Sequence, residues 1–186
     1  MPKFFESIPG WSDFVPYYAE VAKQKGGGVF VEIGVWQGRS AVYLAELIRE
    51  LNLPIKFFAI DNFTGGPEVM EQLNKLPKPL IEIVKDNIEA AGVGEYVTLI
   101  QDDSADSAQR FLDDSVDFAF IDASHQYDAV RRDIAAWWPK IRSGGTLAGH
   151  DYGNWPGVTQ AVNEFVVANK LRRRLTCGTT WIVDKK

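Results

Sequence analysis

Val29-Phe30-Val31-Glu32-Ile33-Gly34-Val35-Trp36-Gln37-Gly38-Arg39-Ser40 is the stretch that decides the fold. Residues 29–33 are β-branched or aromatic apart from one acid, and they run straight into glycine, which reads as a buried strand entering a tight turn. From Ser40 the period changes. Val42, Ala45, Ile48 and Leu51 recur three residues apart, and Ala41, Leu44 and Leu47 widen the stripe, so the spacing predicts a helix over 40–51. A strand, a glycine turn and a helix start together point backbone N–H groups at a ligand.

The same turn excludes two ligand classes. A dinucleotide fingerprint G-x-G-x-x-G would need glycine at 36 and 39, where the chain has Trp36 and Arg39, and an indole there obstructs a pyrophosphate. A P-loop needs G-x-x-x-x-G-K-[ST], and neither the spacing nor the lysine is present. Glu32 inside the turn would repel phosphate and tolerate a cation. The expected ligand therefore carries no phosphate at this turn.

Working outward, the apolar runs at 57–60, 97–100, 116–121 and 146–148 read as further strands, the last of them after the break Gly144-Gly145. Helical spacing covers 11–25, 128–138 and 161–167, and two short strands flank Gly178. Strands that are apolar throughout, alternating with helices, predict an α/β fold. Its core is a doubly wound, Rossmann-like, mostly parallel seven-stranded sheet with helices on both faces. The last two strands, only about three residues apart, must form an antiparallel C-terminal hairpin. The expected organisation is an N-terminal helical segment over 1–28, serving as lid or dimer contact, and one domain over 29–186.

Composition narrows the class. The chain has 186 residues, 20 basic against 25 acidic, for a net charge of −5. That gives no field to draw in a phosphate backbone, so no nucleic-acid partner is expected. One cysteine excludes an internal disulfide and suits a cytoplasmic setting. No apolar run reaches membrane-span length, and the opening MPKFFESIPG lacks the apolar core of a signal peptide. Arg172-Arg173-Arg174 reads as a charged sheet edge and Trp137-Trp138 as packing.

In open parallel sheets ligands bind at the carboxyl ends of the strands. Acids stand at nearly every such end: Glu32, Asp61, Asp102-Asp103, Asp122 and Asp151. With the glycine turn, Phe58-Ala59-Ile60-Asp61 and Phe120-Ile121-Asp122-Ala123-Ser124-His125-Gln126-Tyr127, the chain resembles class I S-adenosylmethionine-dependent methyltransferases. Within them it is most similar to the small-molecule O-methyltransferase branch of macrocin-type enzymes, methyltransferase family 24. The likeness runs from about residue 29 to 152.

That resemblance implies S-adenosyl-L-methionine as cofactor. Glu32, Gly34, Trp36, Gly38 and Ser40 would surround its methionine half, Asp61 would take both ribose hydroxyls with Asn62 beside it, Asp103 and Ser104 would meet its adenine, and Asp122 would also contact the cofactor. The plainer readings keep Glu32 and Asp61 as loop acids, Ser40 as a helix-start residue and Trp36 as loop packing.

The acceptor side rests on the chain's two histidines, His125 and His150, with Asp122 and Asp151. Methyl transfer to a hydroxyl needs its proton removed. Two routes compete: a divalent metal (Mg²⁺ or Mn²⁺) held by Asp122, His150 and Asp151, or His125 or His150 as general base. His150 stands where metal-using relatives carry an acid or amide. The plain alternative makes the two histidines strand and helix caps. The expected substrate is a small hydroxylated molecule, and relatives of this kind form homodimers. A nucleotide-dependent oxidoreductase and a non-catalytic scaffold are the competing functions.

Overall fold

In the computed structural model, which describes residues 3–186, seven strands make one sheet. They are β1 (Gly28–Ile33), β2 (Ile55–Asp61), β3 (Thr98–Gln101), β4 (Val116–Ile121), β5 (Ile141–Gly149), β6 (Arg173–Thr176) and β7 (Thr180–Asp184). Their order is β3-β2-β1-β4-β5-β7-β6. β1 to β5 pair in parallel, and β7 joins antiparallel to both β5 and β6. This is the expected doubly wound sheet with its C-terminal hairpin; Arg173 and Arg174 sit on its edge strand and Arg172 just before it.

The helices are α1 (Val15–Lys25), α2 (Arg39–Leu51), α3 (Met70–Leu73), α4 (Leu80–Ala90), α5 (Ser104–Ser107), α6 (Tyr127–Trp137) and α7 (Pro156–Ala168). Successive strand residues point to opposite faces, which sorts the core into two layers. Phe30, Phe57, Phe118 and Phe120 pack under α1, α2 and α4, while Val31, Ile33, Ala119 and Ile121 pack under α6 and α7. Each of the larger side chains so buried contributes about 2 kcal/mol, which favours burying both faces of the sheet.

Two departures from the sequence reading have local causes. β5 begins at Ile141, so Gly144 and Gly145 lie inside it. A Cβ on Gly145 would lie 2.8 Å from the Arg142 carbonyl oxygen and 3.0 Å from that of Val116, beside the irregularity in the β4–β5 pairing. α4 was not foreseen, although Leu80, Val84 and Ile88 give it a buried stripe four residues apart; Pro77 and Pro79 just before it mask the period. The N-terminal segment also packs into the main core. Phe14 stacks on Phe120 with centroids 4.7 Å apart, and Tyr18 meets the same ring edge-on at 4.9 Å.

Register then sets the site. Ile33 lies level with Ile60 of β2 and Ile121 of β4, and Ile121 lies level with Gly149 of β5. The next residue of each strand, Gly34, Asp61, Asp122 and His150, therefore emerges along one rim. The strand order reverses between β1 and β4, the switch point where such sheets open a crevice.

Candidate functional site

A cleft of about 1040 Å³ opens along that rim. Its floor is Gly34, Asp61, Asp122 and His150. Residues 10–13 close one side, and Gly65, Gly66, Glu68, Val69 and Gln72, from the segment between β2 and α4, cover another.

The glycine turn is held by tight backbone packing. Gly34 has φ of +90°, and a Cβ there would overlap the carbonyl oxygen of Asp122, so only glycine fits between β1 and β4. Gly38, at φ +89°, caps α2 without a side chain. Trp36 is also left-handed, at φ +48°, and lines the cleft. Asp61 grips this turn: Oδ2 accepts from the N–H groups of Val35 (2.8 Å) and Trp36 (3.2 Å), and Oδ1 from that of Phe63 (2.8 Å). A carboxylate has about four acceptor positions, so one remains, on Oδ1. Asn62 lies beside it and caps the next turn through the N–H of Thr64.

Glu32 lies beneath the turn rather than in the cleft lining, 1% exposed, and accepts a hydrogen bond from the Ser40 hydroxyl. Among the described residues neither its Oε2 nor the buried Tyr18 hydroxyl makes a hydrogen bond of ordinary geometry, but the two groups lie close enough for the hydroxyl to pull the Glu32 carboxyl down. Burial pushes the Glu32 carboxyl up to about 8 against the Ser40 bond, and the charges of Asp122 and Asp61 push the same way.

At the far end, Asp103 caps α5 by accepting from the N–H groups of Ala105 (3.0 Å) and Asp106 (3.2 Å) and pairs with Arg132 at 2.5 Å. The Ser104 hydroxyl accepts from the Trp137 indole at 3.3 Å. Arg132 and the buried Asp133, whose carboxyl burial raises to about 6, also line this end; helix α6 delivers them, and sequence reasoning missed both.

On the acceptor side the structure gives the two histidines different jobs. His125 Nε2 lies 2.9 Å from Asp151 Oδ2, and its ring stacks on Trp155, 4.4 Å between centroids and 9° apart. Its Nδ1 is shielded from solvent without a hydrogen bond, 4.0 Å from Glu68 Oε1. His150 is buried against Phe14; its Nε2 lies 3.2 Å from Asp13 and 2.9 Å from the Thr179 hydroxyl, and its Nδ1 lies 3.5 Å from Asp151. His125 does not cap α6: the N-cap is Gln126, and no side chain caps that helix.

The electrostatics follow from crowding. Burial opposes charge on His150, yet the Asp151 hydrogen bond and the charges of Asp122, Asp151 and Asp13 hold its imidazole up at about 9. His125 is raised in the same way: burial opposes its charge most, but the Asp151 hydrogen bond and the charges of Asp151, Asp122 and Glu68 together outweigh it. Burial pushes Asp122 up to about 6 although His150 pulls it down, and the two histidines hold Asp151 well below the carboxylate range despite burial. Asp151 itself has φ of +64°, a strained conformation that aims its carboxylate between both rings.

The donor atoms that gather best differ from the set expected in sequence. Asp122, His125 and Asp151 each offer an atom within 4.8 Å of the others; His150, engaged with Asp13 and Thr179, is outside that set. Asp13 and Glu68 come from segments outside the strand ends, so no strand-end motif could have named them.

An uncharacterized protein, R132, of Acanthamoeba polyphaga mimivirus is 29% identical over 147 residues, which is 77% of this chain and 61% of that protein. The chain thus spans about three fifths of that relative's length. Among solved structures, the O-methyltransferase NovP superposes with a TM-score of 0.76 at 18% identity, over 94% of this chain and 80% of that one. The TDP-rhamnose 3'-O-methyltransferase CalS11 of calicheamicin biosynthesis gives 0.67 at 18%, over 91% and 78%. These identities speak for the fold. The model of a methyltransferase domain family, Methyltransf_24, matches residues 31–152, from the glycine turn through Asp151, more than half of the chain: this protein belongs to that methyltransferase family.

Proposed function

We propose that the cleft binds S-adenosylmethionine along the ends of β1, β2 and β3 and transfers its methyl group to a hydroxyl oxygen of a small molecule held at the ends of β4 and β5. The observation that carries the hydroxyl reading is the His125–Asp151 pair. With Nε2–H donated to Asp151, Nδ1 is an acceptor without a hydrogen bond among the described residues, in the same cleft as Asp122. An in-line displacement needs little from the protein besides alignment and proton removal. His125 takes the acceptor proton at Nδ1, and Asp151 fixes the ring and stabilises the imidazolium.

The residues fit the cofactor in chemistry. The one open position on Asp61 suits a single ribose hydroxyl, where the resemblance implied two. When bound, the sulfonium supplies an electrophilic methyl group. That NovP and CalS11 are O-methyltransferases supports oxygen as acceptor. The chain's single cysteine supports a reducing cytoplasm.

A second reading rests on the grouping of Asp122, His125 and Asp151. Two oxygens and one nitrogen suit Mn²⁺ or Fe²⁺ better than Mg²⁺, and such an ion would lower the acceptor's pKa. One experiment separates the readings. Calorimetry should find S-adenosylmethionine bound and NAD unbound; methyl transfer to a panel of phenols and sugars is then followed by mass spectrometry, with and without chelator. Chelator-resistant transfer that His125→Gln abolishes supports the base. Loss on chelation restored by Mn²⁺ supports the metal. No binding of S-adenosylmethionine refutes the function.

A further inference from the structure

We propose that the turn running from Asp151 into α7 is a clamp that sets the position of His125, with Trp155 as its principal positioning residue. The inference rests on the reading of His125 as the acceptor-side base. Three contacts from one short stretch of chain converge on this histidine. The Asp151 carboxylate holds the ring edge at Nε2, and the Trp155 indole covers a ring face. Gly157 presses on the main chain: a Cβ there would overlap the His125 carbonyl oxygen and lie 2.7 Å from the Tyr127 nitrogen.

The turn itself is stiff. The Asp151 carbonyl accepts from the N–H groups of Asn154 and Trp155, each at 3.2 Å, and the Thr159 hydroxyl donates to the Trp155 carbonyl at 3.0 Å while accepting from the Gly153 N–H at 2.9 Å. Pro156 at the first turn of α7 fixes the backbone just beyond Trp155. The carboxylate and the indole are therefore presented by one rigid unit. A hydrogen bond at Nε2 fixes only one atom and leaves the ring free to rotate about that line. The indole face removes this freedom and leaves Nδ1 aimed at one place, beside Glu68.

The tests are imidazole NMR and kinetics. The chain has two histidines, so two sets of imidazole ring signals are expected, and those that vanish in His125→Gln belong to His125. Stacking should hold the His125 ring protons upfield in the wild-type protein. Trp155→Leu should return them toward the unstacked position and leave the His150 signals in place; Trp155→Phe should retain part of the displacement. In methyl transfer, Trp155→Leu should lower kcat about tenfold to a hundredfold with the acceptor KM within about threefold, and Trp155→Phe should recover most of kcat. His125 signals indifferent to Trp155→Leu, or a rise in KM alone, would overturn the clamp. If Trp155→Leu does not fold, Trp155→Phe decides: its smaller ring must shift the His125 signals and no others, and unchanged signals overturn the proposal. An absence of methyl transfer by the wild-type protein would refute the function, while the ring signals still report on the clamp.

Discussion

Replacing Gly34 by alanine tests the joint between the two halves of the cleft. Gly34 leaves β1 at φ +90°, where an L residue costs about 1–2 kcal/mol. The new methyl would also overlap the Asp122 carbonyl oxygen, lie 2.5 Å from its carbon and 2.8 Å from Ala123 Cα. All three neighbours are backbone, so no side chain can swing aside. Normal carbon contacts are about 3.5–4.0 Å, so the ends of β1 and β4 must part by about 1 Å. Overpacking of this kind costs about 1–3 kcal/mol. The Asp122 N–H to Ile33 carbonyl bond, 2.7 Å, would stretch or break for about 1 kcal/mol more. We expect a total of about 3–6 kcal/mol, a large share of the roughly 5–15 kcal/mol available to a domain. Urea unfolding followed by the fluorescence of the six tryptophans measures it directly. Because Asp122 moves with the strand end, the folded variant should also bind S-adenosylmethionine at least about tenfold more weakly by calorimetry. A loss under about 1 kcal/mol with affinity within twofold would refute the reasoning, since the turn would then have room that the packing denies it.

Further predictions follow from single groups. Glu32 is held near 8 in the fold and should titrate near 4.5 when unfolded, so between those values the native state binds the extra proton and stability falls as pH rises. Glu32→Gln removes that penalty, and without cofactor its stability relative to wild type should rise by a few kcal/mol from pH 5 to pH 8; a constant difference across that range would show that Glu32 is ionised in the fold. Asp117 accepts from the Val29 N–H (2.7 Å) and the Arg142 guanidinium (2.6 Å), so Asp117→Ala should cost about 2–3 kcal/mol in urea unfolding, and a neutral result would show these bonds idle. Asp13→Asn weakens the hold of His150 on residues 10–13, and hydrogen exchange there should accelerate while β4 and β5 stay protected. Equal exchange in both proteins would show that the Asp13–His150 contact does not tie that segment down.

Much of the fold was legible because it rests on local patterns. The apolar runs at 116–121 and 57–60, and the three-residue recurrence after Ser40, follow from burial on two faces of a sheet or one face of a helix. α4 escaped because two prolines precede its stripe, and the full length of β5 escaped because its glycines serve close packing rather than a turn. Within the site, the strand-end residues could be read since their positions in sequence fix their positions on the rim. Asp13, Glu68 and Arg132 could not, because each arrives from a different element and nothing in its neighbours' spacing records the destination.

The histidines show the boundary most clearly. Sequence alone placed both after parallel strands, and so at one edge of the sheet, beside Asp122 and Asp151. It left them equivalent as bases and favoured His150 as the metal ligand. Tertiary structure separated them. The N-terminal segment lays Phe14 and Asp13 on His150, and the C-terminal hairpin adds Thr179, so that ring is buried and engaged on both nitrogens. His125 is held by the turn before α7, which engages one nitrogen and one face and leaves Nδ1 without a hydrogen bond among the described residues. A strand's carboxyl end is set by local pattern, whereas which ring nitrogen stays open depends on segments more than a hundred residues apart meeting at one point.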